Sequence, residues 1–168
     1  ELAKSSAESL PLAHVQVSSV ALAAYGIEHC VRELTSILAQ LGSVDGTPTV
    51  SRADLFVDTV TCWDLSRIED EQWVTRAHDL ARYGDQGQRS GYAVGRGGDL
   101  SLRLYDKTLE IRKHGKAHAS RAWERSGWDG QQTVWRTEIQ LRRNVLREFA
   151  VQSVPELLTR SGELWHYA

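Results

Sequence analysis

Apolar and polar positions along the chain recur with two different periods. From Ile27 to Leu41, the residues Ile27, Val31, Leu34, Ile37, Leu38 and Leu41 stand at helical spacing, which predicts an amphipathic helix ended by Gly42. A second helix is expected over residues 66–82, with Ser66 as N-cap and Glu69 as its capping-box partner. Short helices are expected over residues 144–150 and near residues 155–160. Two-residue alternation or β-branched content predicts strands over residues 12–20, 49–60, 91–94, 100–107 and 133–141. Gly95, Gly97 and Gly98 read as a hairpin turn, Ser43 to Pro48 as a turn, and residues 83–90 as a Gly- and Gln-rich loop. Residues 108–132 read as a helical start followed by a loop. This interleaving favours an α+β domain, an antiparallel β-sheet with helices packed on one face.

Composition changes little in that picture. The 168 residues are 41% hydrophobic and 25% charged, enough for one domain with a core and without the bias of a disordered chain. No apolar run is long enough to span a bilayer, and the start, ELAKSSAESLPLAH, has no basic segment followed by an apolar one as a signal peptide would. There is no Met, which suggests a piece of a longer protein, here a single catalytic domain. Cys30 and Cys62 make no CxxC or Cys/His pattern and are expected to be reduced thiols in a cytoplasmic protein.

Charge adds more. The net charge of −2 argues against a general nucleic-acid binder. Between Arg103 and Arg147, however, 11 Lys+Arg face 5 Asp+Glu, whereas the other residues carry 9 against 17. A basic quarter on an acidic body fits a polyanion-binding face, or a basic solvated surface with no partner.

Three strand-like segments put ionisable groups on one alternating face. They are Asp54 and Asp58 in the first, Arg103, Tyr105 and Lys107 in the second, and Arg136, Glu138 and Gln140 in the third. Any one of them is ordinary for a half-solvated sheet. Together they suggest more. Carboxylates from separate strands suit a hard cation such as Mg or Mn, which prefers oxygen ligands. A tyrosine beside such a centre is a candidate nucleophile toward phosphorus. Its hydroxyl, with an ordinary pKa near 10, needs metal or cationic help. Lys107 can give that help, and arginines grip phosphate through two parallel hydrogen bonds.

These segments resemble a known family. The string Tyr92-Ala-Val-Gly95-Arg96-Gly-Gly-Asp99-Leu-Ser-Leu-Arg103-Leu-Tyr105-Asp106-Lys107 is similar to the Y-x-G-S-R-x-S…R-x-Y-D-K stretch of the replication initiation factor family, the Rep_trans type of rolling-circle initiators. Ser51-Arg52-Ala-Asp54-Leu-Phe-Val-Asp58 resembles that family's S-R-x-D-x-x-x-D strand, and Arg136-Thr-Glu138-Ile-Gln140-Leu141 its later R-x-E-x-x-L strand. The match covers residues 50 to 150. It departs at Gly95-Arg96-Gly97-Gly98, where the family carries serines, and the chain is shorter than typical members.

The resemblance implies metal-dependent nicking and rejoining of one strand at an origin through a 5′-phosphotyrosine, leaving a free 3′-OH. It makes Tyr105 the nucleophile and Lys107 its helper. Asp54, Asp58 and Glu138 become ligands for Mg or Mn. Arg103 and Arg136 would hold phosphates, with Arg96, Arg112, Lys113 and Lys116 as further DNA contacts. A single-stranded or hairpin origin DNA, a helicase and, as for many members, a homodimer are the implied partners. The carboxylates have a second reading as structural ion pairs with Arg52 or Arg136. Two other functions stay open: an origin-binding module that does not cut, and a protein-interaction domain with a solvated sheet. His114 and His118, four apart, are more naturally part of a basic loop than a metal pair, given Gly115 between them. Trp123 and Trp128 suit base stacking less well than ordinary packing.

Overall fold

The computed structural model describes residues 11, 13–42, 47–85, 87–115 and 117–168. Lys116 and most of the turn expected between residues 43 and 48 lie outside the described residues. The chain divides into two compact units, Glu1–Gly46 and Thr47–Ala168.

The first unit holds two helices, α1 (Ser19–Tyr25) and α2 (Ile27–Leu41). Helix α2 has the bounds that its apolar spacing predicts, with Gly42 at its end. Among the described residues of the strand expected over residues 12–20, no strand forms: Ser18 caps α1 by accepting from the N–H of Ala21 at 3.2 Å, and the Ala-rich run that follows favours a helix.

The second unit is a five-stranded antiparallel sheet with helices, an α+β architecture. Its strands are β1 (Arg52–Val60), β2 (Leu80–Asp85), β3 (Gln88–Val94), β4 (Leu100–Asp106) and β5 (Val134–Arg142), in the order β1-β5-β4-β3-β2. One face is apolar. Ala53, Ile139 and Leu141 point into a core closed by Val145 and Leu146 of helix α5 (Arg143–Glu148), by Val151, and by Leu164 of helix α6 (Val154–Tyr167). Leu141, Leu146, Val151 and Leu164 are fully buried, each contributing about 1.5–3 kcal/mol. Helix α6 runs well beyond the expected residues 155–160, held at its start by a Ser153–Glu156 capping box.

Residues 66–82 do not form a helix. The Asp64 carboxylate accepts the N–H of Ser66 and caps a single 3-10 turn, Leu65–Arg67. The capping box starts one step later, where Gln72 accepts from the N–H of Glu69 at 2.8 Å over the turn Asp70–Gln72. Tyr92 of β3 organises this segment: its buried ring packs on Trp73, and its hydroxyl lies 3.0 and 3.1 Å from the carbonyls of Ser66 and Ile68. The chain from Leu80 pairs with β3, so part of the expected loop 83–90 is strand.

Strand β4 stops at Asp106, whose carboxylate accepts the N–H of Leu109 at 2.8 Å and caps helix α3 (Lys107–His114). Helix α4 (Ala117–Arg125) follows. Ala119 and Trp123 of α4 bury against Val134 of β5, supported by Ile111 and Trp128.

Candidate functional site

The polar face is set by register. Asp58 is opposite Arg136, which is opposite Tyr105. One step along, Phe56 is opposite Glu138, which is opposite Arg103. The alternation read from sequence therefore brings Asp58, Arg136, Glu138, Arg103 and Tyr105 to one patch. Lys107 belongs to it too, but from the first turn of α3 and not from the strand.

Tyr105 is at the centre of a buried charge network. Its hydroxyl donates to Oε2 of Glu138 at 3.1 Å and accepts from Nζ of Lys107 at 3.4 Å. Glu138 also pairs with Arg103, and Lys107 with Glu110. Lys107, Arg136 and Glu138 are 4%, 7% and 8% exposed, unusual values for charged residues and tolerable because each has a partner. Burial, then the Glu138 charge, push the Tyr105 phenol well above its ordinary pKa, against the opposing pull of Arg136. At neutral pH it is a phenol that keeps its proton and donates it in a hydrogen bond to the Glu138 carboxylate.

Asp58 is fully engaged. It accepts from Nε and a terminal nitrogen of Arg136 at 2.6 and 2.7 Å, and from the indole N–H of Trp123 at 2.8 Å. Burial lowers the pKa of Arg136, but the Asp58 bonds and charge outweigh it and leave the guanidinium above its ordinary value. Asp54 lies further along the same face and accepts from Nε of Arg52 at 2.8 Å. This is the structural ion-pair reading of the carboxylates.

That pairing bears on the Mg or Mn expectation. Among the described residues, no three His, Cys, Asp or Glu side chains converge as a metal cradle. Asp54, Asp58 and Glu138 each bind an arginine. The donor set as folded does not fit a resident divalent cation, because one would have to displace Arg136 and Trp123 from Asp58, or Arg103 from Glu138.

The other candidates scatter. Arg96 sits in the β3–β4 turn, at the far end of β4 from Tyr105, with its guanidinium 5.9 Å from the Tyr83 ring centroid. Arg112 and Lys113 lie in the last turn of α3, exposed. Trp123 and Trp128 pack edge-to-face at 5.2 Å, so packing is their role here. His114 and His118 fall on different helices, separated by Gly115 in the left-handed region at φ 66°.

Three residues of the site escape motif reading. Gly91 of β3 is opposite Tyr105, and a Cβ there would stand 2.7 Å from the Tyr105 Cβ. A glycine inside a strand is the available signal for such close approach. Trp123 is tied to Asp58 across 65 residues, which no local pattern reveals. Phe56 is half-exposed on the polar face, where alternation calls for a polar side chain. No protein-family model matches this chain, and no curated protein matches it.

Proposed function

We propose that this chain nicks and rejoins one strand of DNA to initiate rolling-circle replication, with Tyr105 as the nucleophile. The observation that carries this reading is the Tyr105 hydroxyl, held between Glu138 and Lys107 on a face that also bears Arg103 and Arg136. Its oxygen attacks phosphorus while Glu138 takes its proton. The bond from phosphorus to the 3′-oxygen breaks, and that oxygen takes a proton from Lys107. The 5′-phosphate is then ester-linked to Tyr105, and the free 3′-OH primes synthesis. Rejoining runs the same steps backward. Arg136 and Arg103 offset the charge on the phosphate oxygens.

The family resemblance implies a Mg or Mn ion as well; the arginine-closed carboxylates do not make its cradle, and no step is assigned to it. A cytoplasmic setting, a helicase partner and a homodimer rest on that resemblance alone. Among the described residues, no helix is long and apolar enough to cross a membrane. Origin binding without cutting is a second reading, favoured by the occupation of all three carboxylates by arginines.

A pool of randomised single-stranded and hairpin oligonucleotides labelled at the 3′ end tests both readings, with Mn and with chelator. A 5′-phosphotyrosine keeps the 3′ fragment, so nicking gives labelled protein on a denaturing gel, lost in Tyr105→Phe. Retarded DNA without labelled protein favours the second reading. Neither signal removes both.

A further inference from the structure

We infer that Phe56 is a stacking platform for an unpaired nucleobase next to Tyr105. This rests on the DNA reading above and adds to it a binding residue and the single-stranded state of the bound segment. The ring is 51% exposed, although its strand neighbours on that face, Asp54 and Asp58, are charged. Its Val57 neighbour points to the other face, so the ring is not part of the apolar core. The Arg136 guanidinium lies 3.7 Å from the ring centroid. One side of the ring is thus backed by a cation, and much of the rest stays open to solvent.

That arrangement, an exposed aromatic ring among arginines on an edge strand, is a pattern by which single strands are held. Bases stack on the ring and phosphates find the guanidinium groups. The arginines are in place. Arg52 and Arg142, both exposed, are direct cross-strand partners further along the same face, and Arg103 lies across β5 from Phe56. Tyr105 is two strands from Phe56, about 10 Å across the sheet. A base on the ring therefore belongs to a nucleotide close to the phosphate that Tyr105 attacks. Bases in a duplex are already stacked and present no free face, so the platform selects unpaired DNA. A protein partner would gain apolar area from Phe56, but only a polyanion would also draw on the excess of arginine along this stretch, where Arg52 and Arg142 stand opposite one another and Asp54 is the neighbouring carboxylate.

Fluorescence anisotropy with oligo-thymidylate and with a blunt duplex tests this, using Phe56→Ala, Phe56→Leu and Phe56→Trp. The leucine keeps an apolar cover over Arg136 without a π-face, which separates stacking from damage to the ion pair. Single-strand affinity should fall roughly 5- to 150-fold in the alanine and leucine variants, with duplex affinity unchanged. The tryptophan variant should bind as wild type and lose indole fluorescence on binding. Wild-type affinity in both truncated variants, or equal losses for single strand and duplex, overturns the platform. Adduct formation is scored separately with the 3′-labelled pool. Adducts alongside unchanged Phe56→Ala binding sink only the platform. The selective loss without any adduct keeps the platform and sinks the nicking reaction.

Discussion

Replacing Asp58 with Asn removes the charge that holds Arg136 while changing little in volume. Three donors point at this carboxylate, two from Arg136 and one from Trp123. The Arg136 and Asp58 side chains are only 9% and 15% exposed, so water compensates little. Stripping one partner from a buried ion pair costs about 3–5 kcal/mol, because the remaining charge stays buried. Asparagine keeps one acceptor oxygen, and the Glu138 carboxylate still acts on Arg136, so a loss of about 2–4 kcal/mol is expected. Asp54→Asn is the internal comparison. Its bridge to Arg52 has side-chain exposures of 32% and 44%, and such pairs contribute about 0–1 kcal/mol. Urea unfolding of the two variants against wild type, at constant slope, measures both. A loss below about 1 kcal/mol for Asp58→Asn, or equal losses for the two variants, refutes the description of Asp58 as a buried anchor.

Gly91→Ala should disturb the sheet beside the nucleophile, since its Cβ would overlap that of Tyr105; a cost of about 1–3 kcal/mol and loss of DNA adducts are expected, and wild-type melting would contradict the contact. Trp123→Phe deletes one donor to Asp58 and should lower stability by about 1.5–3 kcal/mol in the same urea assay; no measurable change would show the indole bond to be incidental. The raised pKa of Tyr105 gives a pH signature. Its neutral phenol adds stability that is fully present below about pH 10, where the unfolded phenol ionises, and is lost as pH rises toward the folded value. Tyr105→Phe should therefore flatten the alkaline fall in melting temperature, and an unchanged alkaline limb would argue against a buried phenol.

Much of the site was legible in the sequence because β1, β4 and β5 alternate cleanly. Alternation alone placed Asp58, Arg103, Tyr105, Arg136 and Glu138 on one face, and the register then set who touches whom. Sequence could not supply that register, so it left each carboxylate open to a metal or an arginine. Lys107 continues the alternation and so reads as strand, whereas Asp106 as an N-cap is the local sign that a helix starts there. The segment after Ser66 misled more deeply. Its capping signals are real but close only single turns, and Tyr92 and Trp73 pack it as an irregular cover. Strand β2 contains Gly84 and exposed polar residues and exists because β3 offers it a partner, a tertiary effect with no local signature.

The most direct measurement maps the covalent bond itself. Protein incubated with the oligonucleotide pool is digested with nuclease and trypsin, and its peptides are weighed and sequenced by mass spectrometry. Cleavage after Arg103 and Lys107 isolates Leu104–Lys107, a four-residue peptide in which Tyr105 is the one tyrosine. A 5′-nucleotide is expected on that peptide and is absent in Tyr105→Phe. A nucleotide on any other tyrosine, or none with either Mn or chelator while the DNA is bound, would contradict it.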